Sequence, residues 1–180
     1  MHIEHAVPEQ LDALMDLYEQ ARAFMRATGN PNQWGTTNPP VERVQADILA
    51  GYQYVCVENG EILATFFYLQ GEEPTYKVIE QGGWLNDLPY GVAHRVCVAK
   101  QGGGVGGFCL DWCFRQCGNM RIDTHRDNQP MQHLLQKCGF TLCGEITVAN
   151  GTKRLAYQRS GSAATSSPSS SSPVSRNPKL

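Results

Sequence analysis

A glycine-dense segment is the strongest chemical signal in this chain. It reads Gln101-Gly102-Gly103-Gly104-Val105-Gly106-Gly107 and lies between a predicted strand and a predicted helix. A glycine loop that opens a helix exposes backbone N–H groups, and the helix N-terminus adds a partial positive charge. Ordering so many glycines is entropically costly, and close approach of the backbone to a ligand is one reason to accept that cost. The segment therefore predicts a site for a phosphate-bearing ligand.

Two familiar glycine loops fit this segment poorly. A nucleoside-triphosphate loop ends in Lys-Ser/Thr, where this chain has Phe108-Cys109. The dinucleotide pattern G-x-G-x-x-G is met by Gly102, Gly104 and Gly107, with Asp123 further along. That pattern is weak by itself, and a dinucleotide fold needs further βα units, whereas only one helix and a hairpin follow here. An NAD(P)-dependent oxidoreductase is therefore the less favoured alternative.

The elements around the loop follow from hydrophobic periodicity and turn signals. Two Asn-Gly pairs, Asn59-Gly60 and Asn150-Gly151, each lie between β-type segments and predict hairpins, because a type I′ turn needs positive φ at both central residues. The segment from 75 to 89 is ambiguous, and Tyr76–Glu80 could be helical or extended. The predicted strands span 2–7, 52–57, 61–68, 92–98, 120–124, 141–148 and 152–158; the predicted helices span 9–27, 41–49, 108–117 and 128–138.

Composition predicts one globular domain, residues 1–159, because 180 residues with 41% hydrophobic content can bury a sizeable core. Residues 160–180 are rich in Ser and Pro and are predicted to be a disordered tail, since they bury too little apolar surface. A net charge of −2 gives no footprint for nucleic acid or an anionic membrane. No apolar run is long enough to span a bilayer, and no signal peptide is evident.

The seven cysteines point to a core stripe rather than a metal site. Cys109, Cys113 and Cys117 recur every four residues and share one helix face, whereas zinc ligands are usually paired on a turn, and no Cys-x-x-Cys occurs. Cysteine also behaves as a small buried hydrophobe. We therefore expect no metal. An odd number of cysteines and no signal peptide indicate a reducing, cytoplasmic setting.

Over about residues 1–158, the chain resembles the GNAT family, the Gcn5-related N-acetyltransferases. The family's cofactor motif, Gln/Arg-x-x-Gly-x-Gly/Ala, is matched by Gln101-Gly102-Gly103-Gly104-Val105-Gly106. Its later motif, an Asn followed by a helix that ends in Gly-Phe, is matched by Asn128 and Cys138-Gly139-Phe140. The order of predicted elements also agrees. The resemblance implies an α/β fold of the GNAT acyl-CoA N-acyltransferase type, with a mixed central sheet flanked by helices, and acetyl-CoA as cosubstrate.

The resemblance also implies roles for individual residues. The strand before the loop would be splayed from its neighbour, so that Val96, Cys97 and Val98 offer their backbone to the pantetheine arm. Amides from Gln101 to Gly107 would hold the pyrophosphate. Asn128 would reach the pantetheine arm or the reacting end, and an N-cap role for it is compatible with this.

Three side chains are candidates for the general base. His94 comes first, because it has the strand parity of Val96 and Val98 and an unperturbed pKa of about 6.5 suits the task. A histidine satisfied within the sheet is the open alternative. Glu80 and Tyr76 are weaker candidates in a segment that could wall the acceptor pocket. Trp34, in the long loop 33–40, and Trp84 could line that pocket or simply pack.

Two positions depart from the family pattern. A Tyr that acts as general acid toward the leaving thiolate is replaced by Leu135, although a thiol with a pKa of about 8.5 leaves tolerably without an acid. A basic residue in the loop is replaced by Gly103, so phosphate binding would depend on backbone amides. The possible helpers are Lys100, Arg126 and Lys137.

The expected activity is transfer of an acetyl group from acetyl-CoA to a primary amine, of a small molecule or an amino terminus, by direct attack in a ternary complex. A non-catalytic acyl-CoA sensor on the same fold is the alternative that the two departures keep open. The expected partner is a small-molecule amine acceptor, with neither nucleic acid nor a membrane. A homodimer is possible through the last hairpin.

Overall fold

A computed structural model describes residues 1–161, which form a seven-stranded mixed sheet with helices on both faces. The strands are β1 (His2–His5), β2 (Gln53–Glu58), β3 (Glu61–Gln70), β4 (Gly91–Val98), β5 (Asn119–Thr124), β6 (Thr141–Thr147) and β7 (Lys153–Ser160). The helices are α1 (Leu11–Ala27), α2 (Val41–Leu49), α3 (Val105–Cys117) and α4 (Gln129–Lys137), with short 3₁₀ turns at Pro8–Gln10 and Pro74–Tyr76. The strand order is β1-β2-β3-β4-β5-β7-β6, which confirms the predicted fold class.

A layer of helices packs against each face of the sheet. On one face α3 and α4 cover a core that includes Phe66, Leu110 and Leu135, all fully buried. On the other face α1 and α2 cover a second core built around Leu14 and Val44. Both predicted hairpins are present, and Asn59 and Gly60 have φ values of 52° and 82°, as a type I′ turn requires.

The predicted cysteine stripe lies in the first of these cores. Cys109 and Cys113 are fully buried and Cys117 is half-buried, all on the face of α3 that packs against the sheet. Burial raises the pKa of the Cys109 and Cys113 thiols well above the usual value. These cysteines therefore act as small apolar side chains.

A β-bulge interrupts the pairing of β3 with β4. Thr65 lies opposite Cys97 and Phe67 lies opposite His94, so β4 has one residue more than β3 between these pairs. Arg95 lies at the bulge with a φ of 53°, a left-handed conformation that is uncommon for a residue with a side chain. The bulge therefore changes which face the side chains on either side of it occupy.

This change of face corrects the predicted parity of His94. Val96 and Val98 pack against the core beneath α3, whereas the ring of His94 lies against Phe67 on the opposite face, 5.7 Å between centroids. Alternation along β4 would have put all three on one face if the strand were regular. One extra residue at the bulge reverses that alternation.

The parallel strands β4 and β5 separate soon after they meet. They pair only at Gly91 with Met120 and at Val92 with Arg121. From Ala93 onward β4 has no strand partner on this side among residues 1–161, although β3 still pairs with its other edge. The resulting V-shaped gap is the splay that the family resemblance implied.

The segment between β3 and β4 contains residues 75–89, whose conformation the sequence left ambiguous. After the turn at Pro74–Tyr76 it is extended, and Glu80 exchanges two backbone hydrogen bonds with Glu145 of β6, each 2.8 Å. The amide of Gly83 donates to the carbonyl of Cys143. This stretch of the outer edge of β6 is therefore already paired, and a dimer could not use it without displacing the segment.

The C-terminal strand runs slightly past the predicted domain boundary. Ser160 is the last residue of β7 and lies opposite Asn119, and the amide of Gly161 donates to the carbonyl of Gly118. The rest of the predicted tail, residues 162–180, lies outside the described residues. Within residues 1–161, no helix is both long enough and apolar enough to cross a bilayer.

Candidate functional site

The gap between β4 and β5 opens into a cleft of about 740 Å³. The glycine loop forms one end of this cleft, and α1 and α4 contribute to its walls. At the other end lie side chains from the loop before α2, from the turn after β3 and from β7. The site therefore has a backbone-rich end and a side-chain-rich end.

The glycine loop and the first turn of α3 present unbonded amides to the cleft. The helix begins at Val105, three residues earlier than predicted, with Gly104 as N-cap at a φ of 73°. Its first intrahelical hydrogen bond runs from the amide of Phe108 to the carbonyl of Gly104, 3.0 Å. The amides of Val105, Gly106 and Gly107 thus lack intrahelical acceptors, which is the arrangement that binds a phosphate.

One glycine of the loop contributes to packing against α4 and not to a turn. A Cβ atom on Gly106 would lie 2.9 Å from Cδ2 of Leu134 on α4. No real Cβ is found so close to another heavy atom without something moving. Gly106 therefore lets α3 and α4 approach each other beside the cleft, whereas Gly102 and Gly104 supply positive φ values of 83° and 73°.

The predicted cofactor strand lines the cleft where β4 has left β5. Val96, Cys97 and Val98 all border it, with Val96 and Val98 half-buried and Cys97 buried toward the other core. The backbone of this stretch faces the gap, since β3 occupies only its opposite edge. It can pair with an extended ligand as a further strand would.

Asn128 has the capping role that the sequence left open. Its Oδ1 accepts from the amide of Met131 at 3.2 Å, and its Nδ2 donates to Oε1 of Gln33 at 2.9 Å. The side chain is buried and borders the cleft. It therefore fixes the start of α4 and ties it to the loop before α2.

Two of the three proposed cationic helpers are close to the loop. Lys100 and Lys137 border the cleft and make no ion pair among residues 1–161. Arg126 lies outside the cleft, where its guanidinium pairs with Glu145 at 2.8 Å. Phosphate binding thus has two free ammonium groups available besides the amides.

His94 lies at the other end of the cleft between two carboxylates. Its Nε2 is 3.2 Å from Oε2 of Glu73, and its Nδ1 is 3.9 Å from Oδ1 of Asp123. The hydrogen bond with His94 lowers the pKa of Glu73 to about 2, so Glu73 is ionised at neutral pH. An ionised carboxylate only accepts hydrogen bonds, and Glu73 therefore selects the tautomer of His94 with its proton on Nε2.

Tyr76 is close to this group but is unsuited to the role of base. The residue is 1% exposed, and its hydroxyl donates to Oδ1 of Asp123 at 2.6 Å. Burial raises its pKa well above the usual value, so the phenol stays protonated. Tyr76 does not border the cleft, and it acts by holding Asp123 in place beside His94.

The structure does not bring Glu80 to the site. Its backbone is bound to β6, and its exposed carboxylate pairs with the ammonium group of Lys153. Of the two tryptophans proposed to line the acceptor pocket, Trp34 borders the cleft and packs edge-on against Tyr18, with ring centroids 5.8 Å apart. Trp84 lies elsewhere, stacked on the guanidinium of Arg121.

Leu135, at the position of the family's tyrosine, is fully buried in the core between α4 and the sheet. It supplies no polar group to the cleft. Sequence reasoning also missed Glu73, Gln33 and Arg154, which are three of the polar residues that border the cleft. The available signal for Glu73 was the turn Glu72-Glu73-Pro74, which leads into the predicted wall segment. No local pattern distinguishes the other two.

A mixed sheet splayed at its parallel pair, with a glycine loop at the opening, defines the class of acyl-CoA-dependent N-acyltransferase folds. No family model and no curated protein matches the chain. Solved structures do match. A GNAT-family acetyltransferase from Streptococcus agalactiae 2603 is 34% identical with a TM-score of 0.82, and the match covers 89% of this chain and 95% of that one.

Two more distant structures share the fold. The Salmonella typhimurium protein YncA, solved with its cofactor acetyl-CoA, is 20% identical with a TM-score of 0.60; 89% of this chain and 93% of that one are covered. The aminoglycoside acetyltransferase AAC(6')-Ib, solved with coenzyme A and kanamycin, is 16% identical with a TM-score of 0.61; the coverages are 89% and 95%. The chain belongs to the GNAT family, and it is an acyltransferase. The predicted family is thereby confirmed.

Proposed function

We propose that this protein transfers an acetyl group from acetyl-CoA to the primary amine of a small molecule or an amino terminus, by direct attack in a ternary complex. The observation that carries the proposal is that one cleft joins an amide-lined loop, an unpaired strand edge and a histidine held by a carboxylate. The structure of YncA with acetyl-CoA supports the choice of donor. That of AAC(6')-Ib with kanamycin supports a small amine as acceptor.

The donor would lie along the splay. Amides of the loop and of the first turn of α3, with Lys100 and Lys137 nearby, would hold the pyrophosphate. The backbone of Val96 to Val98 would pair with the amides of the pantetheine arm. Backbone N–H groups of the same strand would polarise the thioester carbonyl. The acetyl group would then lie toward His94.

The acceptor would enter from the side-chain-rich end. The carboxylates of Glu73 and Asp123 attract an ammonium group, and His94 takes its proton to give the neutral amine that can attack. The tautomer fixed by Glu73 leaves the lone pair on Nδ1 for this task. The amine nitrogen then bonds to the carbonyl carbon, the C–S bond breaks, and CoA leaves as a thiolate. The nitrogen loses its remaining extra proton to water in the open cleft, which gives the amide.

No tyrosine hydroxyl is available at position 135 to protonate that thiolate. A thiol pKa of about 8.5 makes the thiolate a tolerable leaving group near neutral pH. We therefore propose that the sulfur takes its proton from water in the open cleft.

The test is acetyl-CoA consumption against a panel of primary amines, with calorimetric titration of acetyl-CoA and NADH on the same preparation. We expect binding of acetyl-CoA, no binding of NADH, and turnover with at least one amine. Acetyl-CoA binding without turnover on any amine would contradict the enzymatic proposal and favour an acyl-CoA sensor. Binding of NADH but not of acetyl-CoA would contradict the donor site.

A further inference from the structure

Arg154 of β7 is a buried cation at the acceptor end of the cleft. It pairs with Ile146 of β6. Two residues further along β7, Ala156 pairs with Asp123 of β5. Only 9% of the residue is exposed, and that part borders the cleft. Residues two apart on a strand share a face, so Arg154 and Asp123 are diagonal neighbours on the face that carries His94.

The described residues give this guanidinium few hydrogen-bond acceptors. Its Nε is buried and has no hydrogen-bond partner in the described part of the chain, and one terminal nitrogen donates a long hydrogen bond of 3.4 Å to the carbonyl of Gln33. No carboxylate lies within ion-pair distance of it in residues 1–161, whereas Arg95, on the same cleft, is paired with Asp47. Burial lowers the pKa of Arg154 below its usual value, and the nearby charge of Asp123 opposes this shift only in part.

An unpaired buried charge is costly, and proteins keep one where a ligand completes it. A guanidinium with free N–H groups is shaped to receive a carboxylate through two parallel hydrogen bonds. The phosphates of CoA have their own proposed site at the amide-lined loop, which is built from β4 and α3 and not from β7. The anion that Arg154 lacks therefore belongs to the acceptor.

Arg154 and the proposed amine site lie on neighbouring strands, which favours a small acceptor. Diagonal neighbours across two antiparallel strands are about 7–8 Å apart at Cα, so Arg154 lies close to Asp123 and, beyond it, to His94. A ligand that spans both needs an ammonium group and a carboxylate separated by only a few bonds. An amino acid has these groups at this spacing.

We propose that the acceptor is a free amino acid or a closely similar amine that carries a carboxylate, with Arg154 binding the carboxylate while the amine faces His94. This proposal rests on the acetyltransferase function proposed above. Gln33 supports the arrangement: its carbonyl accepts from Arg154, and its side chain accepts from Asn128 and Asn30. The loop before α2 therefore fixes the guanidinium against the start of α4.

The experiment compares matched acceptors in the wild-type enzyme: amino acids against the amines obtained by removing their carboxylate, such as lysine against cadaverine and phenylalanine against phenethylamine. We expect kcat/KM to be about 10- to 100-fold higher for the preferred amino acid than for its decarboxylated partner, the range expected for one charged hydrogen-bonded pair. Equal or better turnover of the decarboxylated amines would overturn the proposal. No turnover of any acceptor would instead contradict the proposed function.

Arg154→Gln should remove the discrimination. We expect a KM about 10- to 100-fold higher for the amino acid, little change for the decarboxylated amine, and unchanged affinity for acetyl-CoA. Lys153→Gln is the matched control, since it removes one positive charge from the adjacent, exposed position and should keep the discrimination. Undiminished discrimination in Arg154→Gln would overturn the proposal.

A second measurement keeps the test valid if Arg154→Gln folds poorly. In the wild-type enzyme, a carboxylic acid that lacks the amine, such as 3-phenylpropanoate, should compete with the amino acid, while the corresponding neutral amide should not. Equal inhibition by the acid and the amide would count against a carboxylate site.

Discussion

At the scale of single residues, the site depends on how its polar groups are paired. Glu73 fixes the tautomer of His94, Tyr76 donates to Asp123, and Arg154 has no carboxylate partner in the described part of the chain. Glu73 and Asp123 thus have partners within the protein, and Arg154 is the cation that we propose binds the carboxylate of the acceptor. The same reasoning separates His94 from the two other candidate bases, because His94 borders the cleft whereas Tyr76 and Glu80 do not.

Replacing His94 tests its role as base. For His94→Asn we expect kcat to fall by about 10²- to 10⁴-fold, the usual contribution of a positioned general base, and the acidic limb of the pH–rate profile to disappear. Acetyl-CoA affinity should not change. His133→Asn, an exposed histidine of α4, should behave as the wild type. A variant with the wild-type pH–rate profile would remove His94 from the mechanism.

Glu73 makes a prediction about acid stability. Its folded pKa of about 2 lies below its ordinary value of 4.5, so its ionised form stabilises the fold above about pH 4.5 and this stabilisation is lost as the pH falls toward 2. For Glu73→Gln we expect a loss of about 2 kcal/mol at pH 7 and a flatter stability curve between those pH values. Urea denaturation across this range measures both.

The neighbouring Glu72→Gln provides the control for that experiment. Glu72 is exposed, and its contact with Lys77 is a surface ion pair, which contributes little. Its curve should follow that of the wild type. If the free energy of unfolding fell equally steeply with decreasing pH in the two variants, the contact between Glu73 and His94 would not stabilise the fold.

At the scale of elements, two local irregularities shape the cleft. The bulge at Arg95 moves His94 to the face opposite Val96 and Val98, and the early start of α3 brings three amides to the loop. Each irregularity is held from outside: Asp47 of α2 pairs with Arg95, and Leu134 of α4 packs on Gly106. The helices therefore position the site through the backbone of β4 and of the loop.

Removing the carboxylate that holds the bulge should weaken both fold and activity. Asp47→Ala would leave Arg95 partly buried and unpaired, and we expect a loss of about 3 kcal/mol in the free energy of unfolding, with a lower kcat. Asp16→Ala, at an exposed position of α1, should change stability by less than about 0.5 kcal/mol. Equal stabilities for the two variants would contradict a supporting role for Asp47.

A substitution pair tests the glycine loop. Gly104→Val forces a valine into a φ of 73° and directs its side chain toward the phosphate site, whereas Gly51→Val imposes similar strain, at a φ of 75°, away from the cleft. We expect both to lose about 1–3 kcal/mol of stability. Only Gly104→Val should lose acetyl-CoA affinity, measured by calorimetry. Equal affinities would contradict the assignment of the loop.

At the scale of the whole molecule, the proposed donor and acceptor sites are assembled from the chain in different ways. The donor site is built from β4, the loop and α3, which follow one another in sequence, whereas the acceptor end gathers residues from the loop before α2, the turn after β3, β5 and β7. The last strand is thus part of the site as well as of the fold.

The boundary of the domain can be tested by truncation. A chain ending at Gly161 keeps every described contact, and we expect its melting temperature to equal that of the full chain. A chain ending at Gln158 loses the pairing of Ser160 with Asn119 and the contacts of Arg159 with Asp111 and Phe114. It should melt several degrees lower, since each kcal/mol is worth about 2–4 °C in a domain of this size. If the chain ending at Gly161 melted at a lower temperature than the full chain, the domain boundary would lie beyond residue 161.

The sequence alone determined the features that depend on local backbone conformation. Glycines with positive φ, two Asn-Gly turns and the helix start at Asn128 are encoded by neighbouring residues, so the family was readable without a structure. Only the tertiary structure decided which side chains meet. One extra residue at Arg95 reversed the face of His94, hydrogen bonding to β6 took Glu80 out of the site, and strand pairing brought Arg154 beside Asp123. Contacts between distant residues depend on register and packing, which no local pattern specifies.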